Sequence, residues 1–412
     1  MSVPVSNSKN SPNESQGQVN SVNYWGGVFA MSMCAFALVA AEFMPLSLLT
    51  PIASDFRVTE GLAGQAISIS GVFALVTSLL VSSAAGNINR KTLLLGMTAM
   101  MAISGVIIGF APNYPIYMLG RIFIGISIGG FWTMSAATAI RLVDKHKVPK
   151  ALAILNGGNA LATVVAAPIG SYLGDLVGWR VAFLCLVPTA VIAFIWQLVS
   201  LPSMQAVQTT TNKNAFLLLK QPAIAYGLIG ASFFFMGQFT LFTYLRPFLE
   251  TVTHVHDHQL SYILLLIGSM GFVGTIIIGS FLSRGFYKTL ISIPLIMALV
   301  AMLLIVFGNS LSMAMALLAI WGLVATAAPV GWWTWVANTM PADAEAGGGL
   351  LVAIVQLAIG SGSFLGGVMY DYKGFESTFL LSIAMLAIAA FMTLQTSRLN
   401  KLHQSTHQRN HL

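Results

Sequence analysis

Hydrophobic runs about as long as a bilayer is thick recur along nearly the whole of this 412-residue chain. They fall near residues 23–50, 61–86, 92–111, 115–140, 150–175 and 180–201, and again near 222–246, 259–283, 289–308, 312–338, 346–371 and 375–397. A segment of ~20 apolar residues spans the hydrocarbon core as a helix. There every backbone N–H and C=O must be satisfied internally, which excludes open strands and lipid-exposed irregular backbone. The expected fold class is therefore an all-α membrane protein with twelve transmembrane helices. They divide six and six about one polar stretch, Pro202 to Lys220. Only 8% of residues are charged, against about a quarter in soluble chains.

Basic residues set the orientation. Of nineteen Lys and Arg, fourteen fall in tails and loops on the side of the N-terminus, among them Arg90, Lys91, Lys147 and Lys213. Arg57, Arg180, Arg246 and Lys373 fall on the other side, and Arg121 lies within a run. Cytoplasmic loops collect Lys and Arg, so both termini are expected in the cytoplasm. The same scatter of single basic residues accounts for the net charge of +7 without nucleic acid as a partner. Residues 1–22 lack the basic start and short apolar core of a signal peptide, and read as a disordered cytoplasmic tail. Cys34 and Cys185 supply neither a disulfide framework nor metal-ligand spacing.

The two halves repeat each other. Glu42-Phe43 with Pro51 aligns with Gln238-Phe239 and Pro247 at an offset of 196, and Lys91-Thr92-Leu93 with Lys288-Thr289-Leu290 at 197. Gly130-Phe131-Trp132-Thr133 aligns with Gly331-Trp332-Trp333-Thr334 at 201, and Asp175-x-x-Gly178 with Asp371-x-x-Gly374 at 196. Both copies start on the same side of the membrane, the parallel repeat of two-halved secondary transporters. The expected organisation is a tail over 1–22, six-helix bundles over 23–201 and 222–397, a cytoplasmic linker over 202–221 and a cytoplasmic tail over 398–412.

Glu42 is the only carboxylate well inside any run. A charge there costs roughly 3 kcal/mol on insertion scales and by default marks a proton or ion pathway. Glu42 lies ~13 Å inward from Pro51, and Arg121 ~9 Å inward from Pro115, at 1.5 Å per residue. Similar depth in one half suits an ion pair, which reads either as a static structural contact or as a proton-coupling centre whose rearrangement moves Glu42 between charge states. Phe131, Trp132, Trp332, Trp333 and Trp335 occupy symmetry-related runs, joined to glycine, and are candidates to line a cavity. Asn156, Asn159, Gln238, Asn338 and Gln356 supply amides in or beside neighbouring runs. Rings that stack on a planar base and amides that reach ribose hydroxyls suit a nucleoside; the same amides also suit ties between helices. Gly157, Gly158, Gly170 and Gly174 give the fifth run a small face, expected to pack across the junction of the halves. His254, His256 and His258 read as solvated loop histidines rather than metal ligands, and His403, His407 and His411 as part of a solvated tail. Nothing brings together a nucleophile and base, a carboxylate pair or a metal set, so neither an enzyme nor a cofactor is expected.

Several segments carry a family resemblance. The twelve-run architecture resembles the major facilitator superfamily, in particular its drug:proton antiporter branch. The loop SSAAGNINRKTLLL (82–95) resembles that superfamily's glycine–aspartate–basic signature: Arg90 and Lys91 match its basic pair, while Gly86 stands for an aspartate and Asn89 for a glycine. Leu119-Gly120-Arg121 with Gly125 and Gly129 resembles the branch's fourth-span motif, in which the arginine takes part in proton coupling. Gly158 through Ala167-Pro168-Ile169-Gly170 resembles its fifth-span motif, with Ala167 for a glycine. EFMPLSLLTP (42–51), GGFWTMSA (129–136), VPKAL (148–152), GQFTLFTYLRP (237–247) and PVGWWTW (329–335) resemble the bacterial purine ribonucleoside efflux pumps within that branch.

The resemblance implies a proton-coupled antiporter of the bacterial inner membrane, exporting purine ribonucleosides such as inosine or guanosine by alternating access. Multidrug or sugar efflux is the alternative within the class; a non-transporting receptor or a channel is the alternative outside it. The implied roles are proton coupling for Glu42 and Arg121, and gating for Arg90, Lys91, Gly158, Pro168 and Gly170. Tyr244 joins Phe131, Trp132, Asn156, Asn159, Gln238, Trp332, Trp333, Asn338 and Gln356 as a substrate contact. The expected partners are a small-molecule substrate, protons and lipid, with the chain a monomer. The topology has a direct test in single cysteines placed in a background without Cys34 and Cys185. Position 213 is expected to stay unlabelled by an impermeant reagent in intact cells and position 254 to react; labelling of 213 from outside overturns the orientation.

Overall fold

The computed structural model describes residues 24–84, 88–204, 215–340 and 344–409. The tail before residue 24, Gly86, Lys213 and His411 lie outside the described residues, as do the side chains of His258, His403 and His407. Span one is two helices, Trp25–Ser47 and Leu49–Phe56, and spans two to five are Glu60–Ala84, Arg90–Gly109, Tyr114–Arg141 and Val148–Val177. Span six is Trp179–Leu184 with Leu186–Ser200, and span seven is Pro222–Phe242 with Leu245–Thr251. Span ten is Leu311–Ala325 with Ala328–Thr339; spans eleven and twelve are Ala344–Lys373 and Phe375–Arg409. The last helix thus runs on through Arg409.

Spans eight and nine share one helical tract, Asp257–Phe307, of 51 residues. Straight, it would be ~77 Å long, far beyond a ~30 Å hydrocarbon core. It leaves helical geometry at Gly285 (φ −171°, ψ 77°). Thr289 Oγ1 donates to Phe281 O at 3.1 Å, although eight residues apart. In a straight helix that separation is ~12 Å, so the chain doubles back and the spans among the described residues number twelve.

The repeat is written into the backbone. Leu48 (φ −116°, ψ 13°) interrupts span one as Tyr244 (φ −103°, ψ 16°) interrupts span seven, at the offset of 196. Arg57 and His254 are both left-handed, with φ 54° and 55°, and so are Gly178 and Gly374, with φ 86° and 75°. The Asp-x-x-Gly motif therefore encodes a turn: at φ 86°, ψ 154°, Gly178 occupies a region essentially closed to other residues.

Close approach of helices follows the same offset. Within the halves, Gly125 packs on Ser70 O and Gly322 on Ile267 O. Between them, Gly71 of span two meets Gly360 of span eleven, and Gly268 of span eight meets Val164 of span five. These crossings join the halves. The glycines of span five do not: Gly158 lies on Ser32 O, Gly170 on Ser47 and Met44, and Gly174 on Leu48, all of span one. The small face seals span five to its own half, and Val164 supplies the contact across the junction.

The offset of 201 has a physical origin. Gly129 packs on Ala74 and its mate Thr326 on Gly271, still at 197. Four further residues, Ala327 to Val330 with Pro329, precede Gly331, and span ten breaks there while span four runs unbroken. About one helical turn has been absorbed in the break. Gly178→Ala and Gly374→Ala are expected to lower stability by about 1–3 kcal/mol each in thermal unfolding of the detergent-purified protein. Gly279→Ala, helical with open space around it, is expected to raise stability by about 0.5–1 kcal/mol.

Candidate functional site at the junction of the halves

Pro45 lies inside the first helix of span one. Proline has no N–H to give the carbonyl four residues earlier, so Ala41 O loses its helical donor. Arg121 takes that place: its Nη1 donates to Ala41 O at 2.9 Å. Its Nη2 donates to Glu42 O at 3.3 Å and Ser70 Oγ at 2.8 Å, and its Nε to Ala66 O at 3.0 Å. The residue is fully buried. Its guanidinium thus ties spans one, two and four together, and the bulk of its bonding goes to backbone rather than to a carboxylate.

The direct ion pair expected between Glu42 and Arg121 is not the contact present. Glu42 is buried, 6% exposed, and its carboxyl makes no hydrogen bond or ion pair with Arg121. Gln356 of span eleven in the other half is buried as well, and its Oε1 has no partner. Beside them Phe43 stacks on Phe239, ring centroids 5.7 Å apart at 21°. These rings occupy equivalent repeat positions and meet across the junction. Gln238, the repeat mate of Glu42, is half-buried, with an Oε1 that has no partner.

A latch closes the end away from the termini. Asp371, at the end of span eleven, accepts from Thr59 Oγ1 at 2.5 Å and from Gly61 N at 2.9 Å. Thr59 Oγ1 in turn accepts from Leu62 N at 3.1 Å, so the Asp371 carboxylate sits at the positive end of span two. Tyr244 Oη donates to Ser363 O at 2.8 Å and approaches Gly61 O at 3.4 Å. Arg246 bonds Ser47 O, the carbonyl that Pro51 deprives of a donor, and pairs with Glu250 at 2.6 Å.

The remaining candidates divide by exposure. Phe131 and Trp332 are core residues: Phe131 packs edge-on to Trp132, and Trp332 against Trp335 and Gly230. Trp335 is fully buried as well. Neither Phe131 nor Trp332 presents a free ring, because their side of the helix faces into its own bundle. Trp132 is half-buried, on the stripe of span four that carries Arg121, and Trp333 is 48% exposed beside Gly348. Asn156 is exposed and donates to Leu152 O of its own helix at 2.9 Å; Asn159 is half-buried and Asn338 exposed. Tyr244 serves the latch. Pro168 removes the helical donor of Val164 O, the carbonyl that lies against Gly268.

At the loop before span three, Asn89 is a cap. Its Oδ1 accepts from Lys91 N at 2.9 Å and Met204 N at 3.1 Å, and Arg90 N donates to Met204 O at 2.9 Å. An asparagine caps a helix start well, which accounts for its place where the signature has glycine. Four residues escaped sequence reading as site residues: Arg246, Asp371, Phe43 and Phe239. The last three lie in the repeated motifs, and their pairing at equal offsets was the available signal.

The chain is similar along its length to known proteins. It is 59% identical over 378 residues to the transcription regulatory protein OpdE of Pseudomonas aeruginosa, covering 91% of this chain and 94% of that one. It is 35% identical over 378 residues to the purine ribonucleoside efflux pump NepI of Salmonella paratyphi C, covering 92% and 95%. Among solved structures, a bacterial homologue of the human lysosomal transporter Spinster aligns with TM-score 0.73 at 16% identity, over 91% of this chain and 97% of that one. A D-xylose–proton symporter aligns with TM-score 0.71 at 14% identity, over 90% and 96%. The model of the Major Facilitator Superfamily matches residues 31–348, and the chain belongs to that superfamily.

Proposed function

We propose that this transporter is a proton-coupled exporter of purine ribonucleosides, such as inosine or guanosine, in the bacterial inner membrane with both termini cytoplasmic. One observation carries the coupling: Glu42 is buried at the junction, its backbone carbonyl bonded by Arg121 of its own half and its neighbour Phe43 stacked on Phe239 of the other. A carboxylate so placed changes the bonding between halves when it gains a proton, which is what alternating access requires. The substrate class is supported by the 35% identical relative named a purine ribonucleoside efflux pump. Trp132 and Trp333, with Gln238 and Gln356, are the residues left to receive a base and its ribose; multidrug or sugar efflux is the alternative. In this reading the latch at Asp371 closes the outer mouth, while Arg90, Lys91 and the junction of spans five and eight serve inner gating.

A second reading has its own support, since a 59% identical relative is named a transcription regulatory protein. On that reading the fold is kept as a membrane receptor and transports nothing. Flux separates the two. In proteoliposomes under an imposed pH difference, the wild type is expected to concentrate inosine. Glu42→Gln, which keeps shape but not charge, is expected to abolish that while exchange of labelled for unlabelled inosine survives. Arg121→Lys is expected to damage the driven step less, keeping the charge but losing the guanidinium fork. Driven accumulation by Glu42→Gln removes Glu42 from coupling; no flux in the wild type with any nucleoside favours the receptor.

The latch makes a separate prediction. Asp371→Asn keeps one acceptor and removes the charge at the start of span two. It is expected to raise the rate at which a cysteine replacing Ser68, nearly isosteric and buried behind the latch in span two, reacts with an impermeant reagent applied from outside. An unchanged rate removes Asp371 from the gate.

A further inference from the structure

Beside Glu42 the halves meet through two copies of one residue. Phe43 of span one and Phe239 of span seven occupy equivalent repeat positions, and their rings lie nearly parallel across the junction, centroids 5.7 Å apart at 21°. Most other ring pairs among the described residues meet edge-on or tilted, and each lies within one half. Tyr244 on Tyr370 is stacked too, but both belong to the second half. Phe43 on Phe239 is therefore the ring contact, among the described residues, that parting of the halves must break.

The flanks of this stack are polar. Glu42 and Gln238, each one residue before its phenylalanine, are related by the same repeat, whose axis sets one on either side of the rings. Phe43 is half-buried, so part of its surface stays open. Gln238 Oε1 is buried and has no partner. A buried acceptor without a donor is unfavourable, so this oxygen marks a place for a ligand's N–H or O–H.

We propose that the exported molecule opens the outer mouth by replacing the Phe43–Phe239 stack with its own: a planar heteroaromatic base enters between the rings, and a donor on its edge meets Gln238 Oε1. This rests on the exporter reading above and names what that site selects, a flat ring with N–H or O–H donors at its edge. Carbon atoms pack at about 3.5 Å, so a base held on both faces needs ring planes ~7 Å apart. The closed pair is too near to admit one. The sandwich exists once the halves have parted at this level, and a ligand shifts a two-state balance by binding one state better than the other. A flat base returns to both phenylalanines the stacking that parting removes. A sugar has no π face to offer and leaves the mouth closed. Arg121 is bonded at the level of Glu42, and Trp132 lies eleven residues further in, ~16 Å along span four. Trp132 is then a contact on entry, and the phenylalanines are the contact at exit.

Two measurements on the full-length protein in nanodiscs test this. In the first, spin labels at positions 54 and 251, exposed at the outer ends of spans one and seven, are placed in the background without Cys34 and Cys185. Saturating inosine is expected to lengthen the distance between them in pulsed dipolar spectra, and ribose at the same concentration to leave it unchanged. Inosine bound without lengthening, or equal lengthening by ribose, overturns the proposal. In the second, calorimetry with inosine compares the wild type with Phe43→Leu, Phe239→Leu and Phe43→Tyr. Each change to Leu is expected to weaken binding about tenfold, the worth of one stacked face, and to abolish the lengthening. Phe43→Tyr, which keeps a ring face, is expected to retain both. Wild-type affinity and lengthening in Phe43→Leu and Phe239→Leu overturn the proposal and leave the exporter reading standing on Trp132 and Trp333. A loss in Phe43→Tyr equal to that in Phe43→Leu assigns the rings to packing and overturns it as well. Absence of inosine binding by the wild type overturns the nucleoside reading, and this proposal with it.

Discussion

Two prolines in span one free two carbonyls, and two arginines take them. Pro45 leaves Ala41 O to Arg121 of the same half, and Pro51 leaves Ser47 O to Arg246 of the other. Each partner alone would be unfavourable. A buried carbonyl without a donor costs about 1–3 kcal/mol, and an arginine in hydrocarbon about 2.5–3.5 kcal/mol on insertion scales. Together they cancel much of both costs, and they do so only if span one is broken where it is. The break at Leu48 is thus a docking point for the fourth and seventh spans. It also places Glu42, three residues before Pro45, at the seam with its carboxyl free to face span eleven.

The repeat is close in backbone and unequal in charge. At the offset of 196–197, Glu42 corresponds to Gln238, Arg121 to Leu318 and Ser70 to Ile267. Leu318 is fully buried, as Arg121 is, so the position keeps its burial and loses its charge. At these positions the N-terminal half carries buried ionisable side chains and the C-terminal half neutral ones. Where the backbone must approach closely the correspondence is retained: Gly125 with Gly322, and Gly71 with Gly268. Steric demands repeat because both halves fold the same way. The polar groups are free to differ, because no close backbone contact depends on them.

Much of this fold was legible in the sequence, because run length reports the bilayer directly. The repeat was legible as well, since the residues it conserves between halves are those that set turns and close contacts. Side-chain direction was not legible. In a soluble helix an apolar stripe marks the core, whereas a membrane helix is apolar toward lipid and toward its neighbours alike. Phe131 and Trp132 look equivalent by composition, yet one is core and the other half-exposed on the Arg121 stripe. For the same reason the small face of span five gave no sign of which neighbour it would meet. The partner of Arg121 was missed because a pair of opposite charges at equal depth suggests an ion pair. The effect of Pro45 on Ala41 competes for the same guanidinium and wins, through four hydrogen bonds made at one place.

A latch suits a transporter only if it is weak enough to be released. Asp371 makes two charge-assisted hydrogen bonds to the start of span two. Buried, such bonds are worth about 1.5–3 kcal/mol each. Here both Asp371 and Thr59 are exposed, and water and salt reduce that considerably. Behind it, the Phe43–Phe239 stack contributes an aromatic pair of about 0.5–1.5 kcal/mol. The Asp371 bonds and the aromatic stack together thus contribute a few kcal/mol to the contact between the halves. A ligand or proton shifts a two-state balance by its differential affinity, and about 5.5 kcal/mol carries a population from one extreme to the other. Contacts of a few kcal/mol lie within that range, whereas the glycine crossings, Gly71 on Gly360 and Gly268 on Val164, set backbone against backbone with no side chain between them.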